Sequence, residues 1–228
     1  MPPILSIIIP VFREEAIINT ALCNLEPVMS GMPVEIIVVD GDFGKSTIHA
    51  IQYDGIKKIV GPKGRGPQMN TGAREAKSDI LLFLHVDTIL PENAVNHIIS
   101  ACSNEDIVGG AFDLGIASKK PTFRWIEKIA SIRSRITRIP YGDQAIFIKN
   151  RFFQTVGGFK SIPIMEDVEL MRRIRKKGEK IILISEPVKT SPRRWEEEGV
   201  LYCTARNLVL ACLFFSGVNP EALKKYYP

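Results

Sequence analysis

The chain has 228 residues, of which 45% are hydrophobic and 24% charged, with a net charge of +5 and a pI near 9.0. Such values are ordinary for a soluble globular protein with a core of useful size, and the positive charge favours anionic partners such as nucleotides, lipid phosphates or acidic membrane surfaces. No apolar run reaches the length of a membrane span, and no stripe of aromatics interleaved with Lys and Arg points to nucleic acid.

The opening "MPPILSIIIPVFREE" has no basic segment and meets acidic residues too early for a signal peptide. Within it, "LSIIIPVF" reads as a fully buried strand and "EEAIINTALCNLEPVM" as a helix, with Ile17, Ala21 and Leu25 on one face. "EIIVVD" is a second strand, "KSTIHAIQY" a short helix and "IKKIVG" a third strand. "GPQMNTGAREAKS" reads as loop plus helix, "DILLFLHVD" as a fourth strand and "LPENAVNHIISACSN" as a helix. This alternation predicts an α/β fold with right-handed crossovers and a mostly parallel sheet flanked by helices. The second half is less regular. "IVGGAFDLGI" and "QAIFIK" read as strands, and "KIILIS" and "PVKTS" as two edge strands. "TFRWIEKIASIRSRIT", "EDVELMRRIRKKG" and "GVLYCTARNLVLACLFFSG" read as helices. Cys23, Cys102, Cys203 and Cys212 are scattered, which predicts buried free thiols in a reducing compartment.

The segment "IIVVDGDFGKST" ends like a phosphate-binding P-loop. That motif needs a Gly five residues before its second Gly, where this chain has Val39, still inside a strand. Val cannot take the loop conformations that Gly supplies, and the Asp40 charge would face a triphosphate. The P-loop reading therefore fails on spacing.

In an open parallel sheet, ligands bind beyond the carboxyl ends of the strands. Four such ends carry suitable residues: Pro10 to Glu14, Asp40 to Asp42, Gly61 to Gly66, and His85 to Thr88. His85 and Asp87 stand two apart, on the same side of an extended backbone, where imidazole and carboxylate can hold a divalent cation completed by a diphosphate. Farther along, "PIMEDVELMRR" starts a helix with Glu166 and Asp167. Acids at a helix start compensate its dipole, but a carboxylate there can also take a proton from an acceptor hydroxyl.

Taken together, the chain resembles family 2 of the inverting glycosyltransferases, which have the GT-A fold. "SIIIPVFREE" resembles the family's Pro-Val-Tyr-Asn-Glu turn, with Phe12 and Arg13 in place of Tyr and Asn. "IIVVDGDFGKST" is similar to its Val-Val-Asp-Asp-Gly-Ser segment. "LLFLHVDT" is similar to its Asp-x-Asp metal strand, with His85 in place of the first Asp, and "MEDVEL" to its Glu-Asp motif. Three longer segments, from "GRGPQMNTGAREAK", "GDQAIFIKNRFFQTVGGF" and "MEDVELMRRIRKKG", resemble a bacterial and archaeal subgroup named for radical-SAM or arsenosugar association.

The resemblance implies a single domain over residues 1–228, with a nucleotide-binding half at about 1–115 and an acceptor half at about 116–228. It implies a nucleotide site of Pro10, Val11, Glu14, Asp40, Gly66, Gln68, Asn70 and His85. Asp87 would hold Mg2+ or Mn2+ against the diphosphate of a UDP- or GDP-sugar. Asp167 would be the base, with Glu166 beside it. Asp143, Gln144, Arg194 and Trp195 would serve the acceptor and diphosphate side. "SPRRW" resembles the Gln-x-x-Arg-Trp element of processive members, with Ser191 in place of Gln. Its Trp195 reads equally as a sugar-stacking face and as an anchor for the C-terminal helix. Two other classes stay open: a sugar-1-phosphate nucleotidyltransferase, disfavoured by the Gly-free "VFREEAI" loop, and a silent nucleotide-sugar-binding scaffold. The expected location is cytoplasmic. The apolar segment Leu208 to Val218 reads as packing, as a homodimer interface, or as a contact with the inner membrane surface near a lipid-linked acceptor.

Overall fold

The computed structural model describes residues 2–29 and 31–227. Four strands form the first half: β1 (Leu5–Val11), β2 (Val34–Asp40), β3 (Lys57–Val60) and β4 (Ile80–Phe83). The connecting helices are α1 (Ile18–Cys23), α2 (Glu26–Met29), α3 (Ser46–Ala50) and α4 (Arg65–Glu75). A two-residue strand, β5 (Thr88–Ile89), and α5 (Ala94–Cys102) lead to β6 (Ile107–Ile116) and α6 (Pro121–Thr137). A single 3-10 turn at Gly142–Gln144 precedes β7 (Ile146–Lys149), α7 (Asn150–Thr155) and α8 (Glu166–Lys176). The chain continues through β8 (Lys180–Thr190), α9 (Arg193–Glu198), α10 (Val200–Phe215) and α11 (Pro220–Lys224).

All eight strands join one sheet in the order β3-β2-β1-β4-β7-β6-β8-β5. β1, β2, β3 and β4 are mutually parallel, and β6 is parallel to β8. β7 runs against both β4 and β6, and β5 runs against β8. The expected mostly parallel α/β sheet is therefore present.

Both faces of the sheet are covered, as its unbroken apolar strands require. Ile7, Ile9, Val38 and Leu82 point into one core with α1, α2 and α5. Their neighbours Ile8, Ile37, Val39 and Leu81 point into the other, with α4, α7 and α8. Each isoleucine of this kind stabilises the fold by about 1.5–3 kcal/mol when fully buried.

The topology gathers many chain segments at one edge. β1, β2, β4, β6 and β8 all end there, and antiparallel β7 begins there, with Ile146 opposite Phe83. The strand order reverses between β1 and β4, which is where a crevice opens in such sheets.

Three local expectations need correction. The helix expected after β1 is two short helices, because Pro27 has no N–H to continue the ladder and instead sits in the first turn of α2, where none is needed. The two expected edge strands are one interior strand, β8, between β6 and β5. A register shift between Phe112 and Asp113 opposite Pro187 absorbs the irregularity that looked like a break. Finally, all four cysteines are free, but Cys23 and Cys212 are exposed. Among the described residues, no helix is long and apolar enough to cross a membrane. α10 buries Leu210, Ala211 and Phe214 and leaves Leu208 and Val209 exposed.

Candidate active site

A cavity of about 350 Å³ lies at this edge, lined by Arg65, His85, Asp87, Asp143, Asp167, Arg194 and Trp195 among others. These residues come from five separate segments of the chain, which the strand directions bring together.

The turn after β2 is built differently from its sequence reading. Asp40 is fully buried, and its carboxylate accepts hydrogen bonds from the backbone N–H groups of Asp42 (2.9 Å), Thr47 (3.1 Å) and Ile48 (3.2 Å). Its oxygens are thus turned to the loop and to the start of α3. This also removes the P-loop on physical grounds. Two N–H groups at the start of α3, the kind a phosphate would use, already bind a carboxylate. Lys45 is exposed in a left-handed conformation at the head of that helix.

Other expected nucleotide residues stand behind the cavity. Pro10 and Val11 are buried in β1, and the Val11 carbonyl accepts from the Gly41 N–H (2.9 Å). The Gln68 amide donates to the Val11 carbonyl (2.6 Å) and the Val39 carbonyl (2.8 Å), stapling the ends of β1 and β2. Asn70 donates to the Phe159 carbonyl and accepts from the Phe159 N–H. Gly66 lets α4 approach the same loop, because a Cβ there would lie 2.7 Å from the Lys160 carbonyl oxygen. Gln68 and Asn70 thus support the strand ends and the loop at Phe159, and Gly66 serves close packing. Glu14 is half-buried near Asp87 and Arg193, and burial raises its pKa.

His85 and Asp87 lie beyond the end of β4, in a turn closed by the Thr88 N–H donating to the His85 carbonyl. The extended-backbone argument for their shared side is thus corrected, yet the turn still brings both to the cavity wall. Burial, with Arg65 and Arg194 nearby, pushes the His85 pKa down to about 3, so its imidazole is neutral. Among the described residues, no hydrogen bond or ion pair engages the Asp87 carboxylate.

Asp143 enters from the 3-10 turn before β7. Burial pushes its carboxyl up to about 6, with Arg133 opposing and Asp167 and Asp87 adding to the rise. Its neighbour Gln144 is fully buried and faces away. Gln144 donates to the Phe112 carbonyl and accepts from Ser134 Oγ and the Tyr141 N–H, and so holds the turn.

Glu166 and Asp167 begin α8 directly after Met165, which is left-handed at φ 63°. The two acids diverge. Glu166 is buried and pairs with Arg65 at 3.2 Å. Burial raises the Glu166 pKa against the pull of Arg65. Burial also works against the Arg65 charge, but Glu166, Tyr227 and Asp167 outweigh it and hold the guanidinium charged. Asp167 faces the cavity, each carboxylate oxygen accepting one backbone N–H, from Gly142 (2.5 Å) and Val168 (2.8 Å). A carboxylate oxygen has capacity for a further donor, so both remain able to accept from a ligand. Gly142 has to be small, because a Cβ there would sit 3.0 Å from His85 Nε2 and 3.2 Å from Asp167 Oδ2.

The far wall is α9 and the end of the chain. Trp195 lines the cavity and also meets Phe123 of α6 in a T-shaped contact at 5.9 Å. Its Nε1 is buried without a hydrogen-bond partner. Arg194 donates to the Tyr227 hydroxyl and stacks at 4.8 Å from that ring. Tyr227 also interacts with Arg65. The sequence reading missed Tyr227 and Asn207, since nothing in a C-terminal apolar helix marks the residues that fold back to a distant strand edge.

Among the described residues, no group of three or more His, Cys, Asp or Glu side chains is placed to hold a metal. One free carboxylate beside a neutral imidazole nevertheless suits a cation that takes its other ligands from a diphosphate and water.

The chain is similar to the structure of S. aureus TarS residues 1–349 in complex with UDP, at a TM-score of 0.64 and 13% identity over 98% of this chain and 69% of that one. It is similar to Mycobacterium tuberculosis glucosyl-3-phosphoglycerate synthase in complex with Mn2+, UDP and glucosyl-3-phosphoglycerate, at a TM-score of 0.63 and 14% identity over 92% and 79%. TarS 1–349 with UDP-GlcNAc gives a TM-score of 0.60 and 13% identity over 82% of this chain, which spans 58% of that structure. No curated protein sequence matches. These likenesses show the GT-A fold. The model of glycosyl transferase family 2 matches residues 6–160, more than half of the chain, and the protein therefore belongs to that family and is a glycosyltransferase.

Proposed function

We propose that the enzyme moves a sugar from a UDP- or GDP-sugar to an acceptor hydroxyl by a single displacement that inverts the anomeric carbon. One observation carries this reading. Asp167 shares a cavity with Asp87, Arg65 and Arg194, while its neighbour Glu166 is committed to Arg65. A carboxylate able to accept a proton thus sits with a group suited to a metal and two cations suited to a diphosphate.

In this reading the nucleoside lies over the ends of β1 and β2, about residues 1–115 supply the donor side and about 116–228 the acceptor side. The whole is one domain. Pro10, Val11 and Glu14 form the nucleoside pocket, and Asp40 acts through the shape of its turn. Asp87, with His85 beside it, would hold Mg2+ or Mn2+, which supplies charge neutralisation for the leaving diphosphate. Arg65 and Arg194 bind the diphosphate, which displaces Tyr227 from Arg194. Asp167 accepts the acceptor proton, held in orientation by the Gly142 and Val168 N–H groups. Asp143 and Trp195 shape the sugar and acceptor side. The motif "SPRRW" without its Gln fits a single transfer rather than polymerisation. The narrower radical-SAM or arsenosugar-associated placement is proposed on the three segments quoted above. We place the enzyme in the cytoplasm, at the inner membrane surface if its acceptor is lipid-linked.

A panel of UDP- and GDP-sugars tests the reading. Slow Mn2+-dependent release of the nucleoside diphosphate by the wild type is the expected result. Pyrophosphate-dependent exchange, or binding without any turnover of any donor, would overturn it.

A further inference from the structure

Helix α6 has two apolar sides, and only one is covered. Phe123 and Ser134 are fully buried where the helix lies along β6. Roughly opposite them stand Trp125 (68% exposed), Ile129 (64%), Ile132 (46%) and Ile136 (75%). Their spacing of four, three and four residues puts them on one stripe, within an arc of about 60° at 100° per residue. Four large apolar side chains in line along more than three turns exceed the scattered exposure usual on a soluble surface.

We propose that this stripe is a docking face for an anionic lipid bilayer. Charge selects the occupant. Residues 119–138 contain seven Lys and Arg and a single acid, Glu127, so this segment alone exceeds the net +5 of the whole chain. Lys128 borders the stripe on one side and is exposed, with Arg124 beyond it, also exposed but paired with Glu127 at 2.9 Å. An apolar stripe with Trp, bordered by basic residues, is the pattern of a helix lying at the headgroup boundary. A second copy is a poorer fit. In a two-fold interface the same patch meets itself, and this segment would set its positive charges against their own copies. Nucleic acid would satisfy the charge and leave the isoleucines in water.

The position has a consequence for the site. α6 follows β6 and leads into the turn that carries Asp143, and its first turn packs through Phe123 against Trp195. A bilayer under α6 therefore lies beside the acceptor wall of the cavity. The proposal rests on the membrane part of the functional reading and is independent of transfer itself.

Co-sedimentation with vesicles tests it, using equal parts of phosphatidylcholine and phosphatidylglycerol against phosphatidylcholine alone at low salt. The wild type should sediment with the anionic vesicles and weakly with the neutral ones. The Ile129→Glu, Ile132→Glu double variant should bind at least about tenfold more weakly, because two apolar contacts are lost. Both positions are exposed, and an unchanged circular dichroism spectrum checks the fold. Lys128→Glu, a second variant that leaves the stripe intact, should weaken binding several-fold. Absence of wild-type binding, or equal binding by the double variant, overturns the proposal. So does a wild-type dimer, seen without vesicles, that the double variant converts to monomer, since a second copy then covers the stripe. Donor turnover measured without vesicles is untouched by any of these outcomes, so a failure here is separable from a failure of the transferase reading.

Discussion

Two aspartates stand at the same sheet edge, on either side of β1, and their carboxylates are used differently. Asp40 at the end of β2 is buried and held by three backbone N–H groups. Asp87, in the turn after β4, lines the cavity with its carboxylate unengaged among the described residues. The next element decides between them. α3 starts six residues after Asp40 and turns its free N–H groups back onto that carboxylate, whereas the turn after β4 runs into β5 and offers no helix start. A strand-end acid becomes scaffold or chemistry according to whether backbone donors reach it first.

The largest effect expected from this comparison is on stability. Asp40→Ala leaves buried N–H groups without acceptors and should destabilise the fold by about 2–4 kcal/mol in urea melts. Asp87→Ala should leave stability nearly unchanged. Equal losses in the two variants would erase the distinction.

Next comes catalysis at the diverging pair. Asp167→Asn keeps size and polarity but not the proton acceptor, and should lower turnover by roughly a hundredfold or more with nucleotide affinity kept. Glu166→Gln should weaken its contact with Arg65 and act more on donor affinity than on turnover. A kcat and KM comparison separates the two patterns.

A smaller effect is expected at the metal. Calorimetry of UDP with and without Mn2+ should show metal-dependent tightening in the wild type that disappears in Asp87→Ala, on the order of tenfold in affinity. His85→Ala should do less. Unchanged metal dependence in Asp87→Ala would place the cation elsewhere.

Asp143 gives a pH signature. Its carboxyl is raised from 3.8 to about 6 in the fold, so the folded state holds its proton more tightly than the unfolded state does. The stabilising contribution is full below about pH 4 and is lost as pH rises through about 6. Asp143→Asn should thus stabilise the protein at pH 8, on the order of 1 kcal/mol after allowance for solvent in the open cavity, and bring no gain at pH 4. Thermal melts at the two pH values check the sign. Smallest of all, Lys45→Ala should change nucleotide affinity by less than about twofold, because its helix start already binds Asp40.

The sequence made the first four βα units legible because their strands are continuous apolar runs and their helices are punctuated by Gly, Pro and Asp. It also pointed to the strand edge itself, and to Asp87, Asp143, Asp167 and Trp195 at it. What it could not show was the direction of each side chain. Asp40, Gln68, Asn70 and Gln144 are polar residues in motif-like settings, yet each is turned to backbone partners as far as 89 residues away, as with Asn70 and Phe159. β8 was divided in two because Pro187 looks like a breaker, and only the shifted register opposite Asp113 shows how one strand accommodates it. Tyr227 closes over Arg65 and Arg194 from the far end of the chain, a contact that no local pattern encodes.

The central claim is a direct displacement in the cavity where Asp87 and Asp167 meet. Proton NMR of the first sugar product formed from an α-linked nucleotide-sugar, read before mutarotation, tests it most directly. The account predicts the β-anomer. The α-anomer would mean two displacements or a shielded ion pair, and would contradict the assignment of Asp167 as the base of a single inverting step.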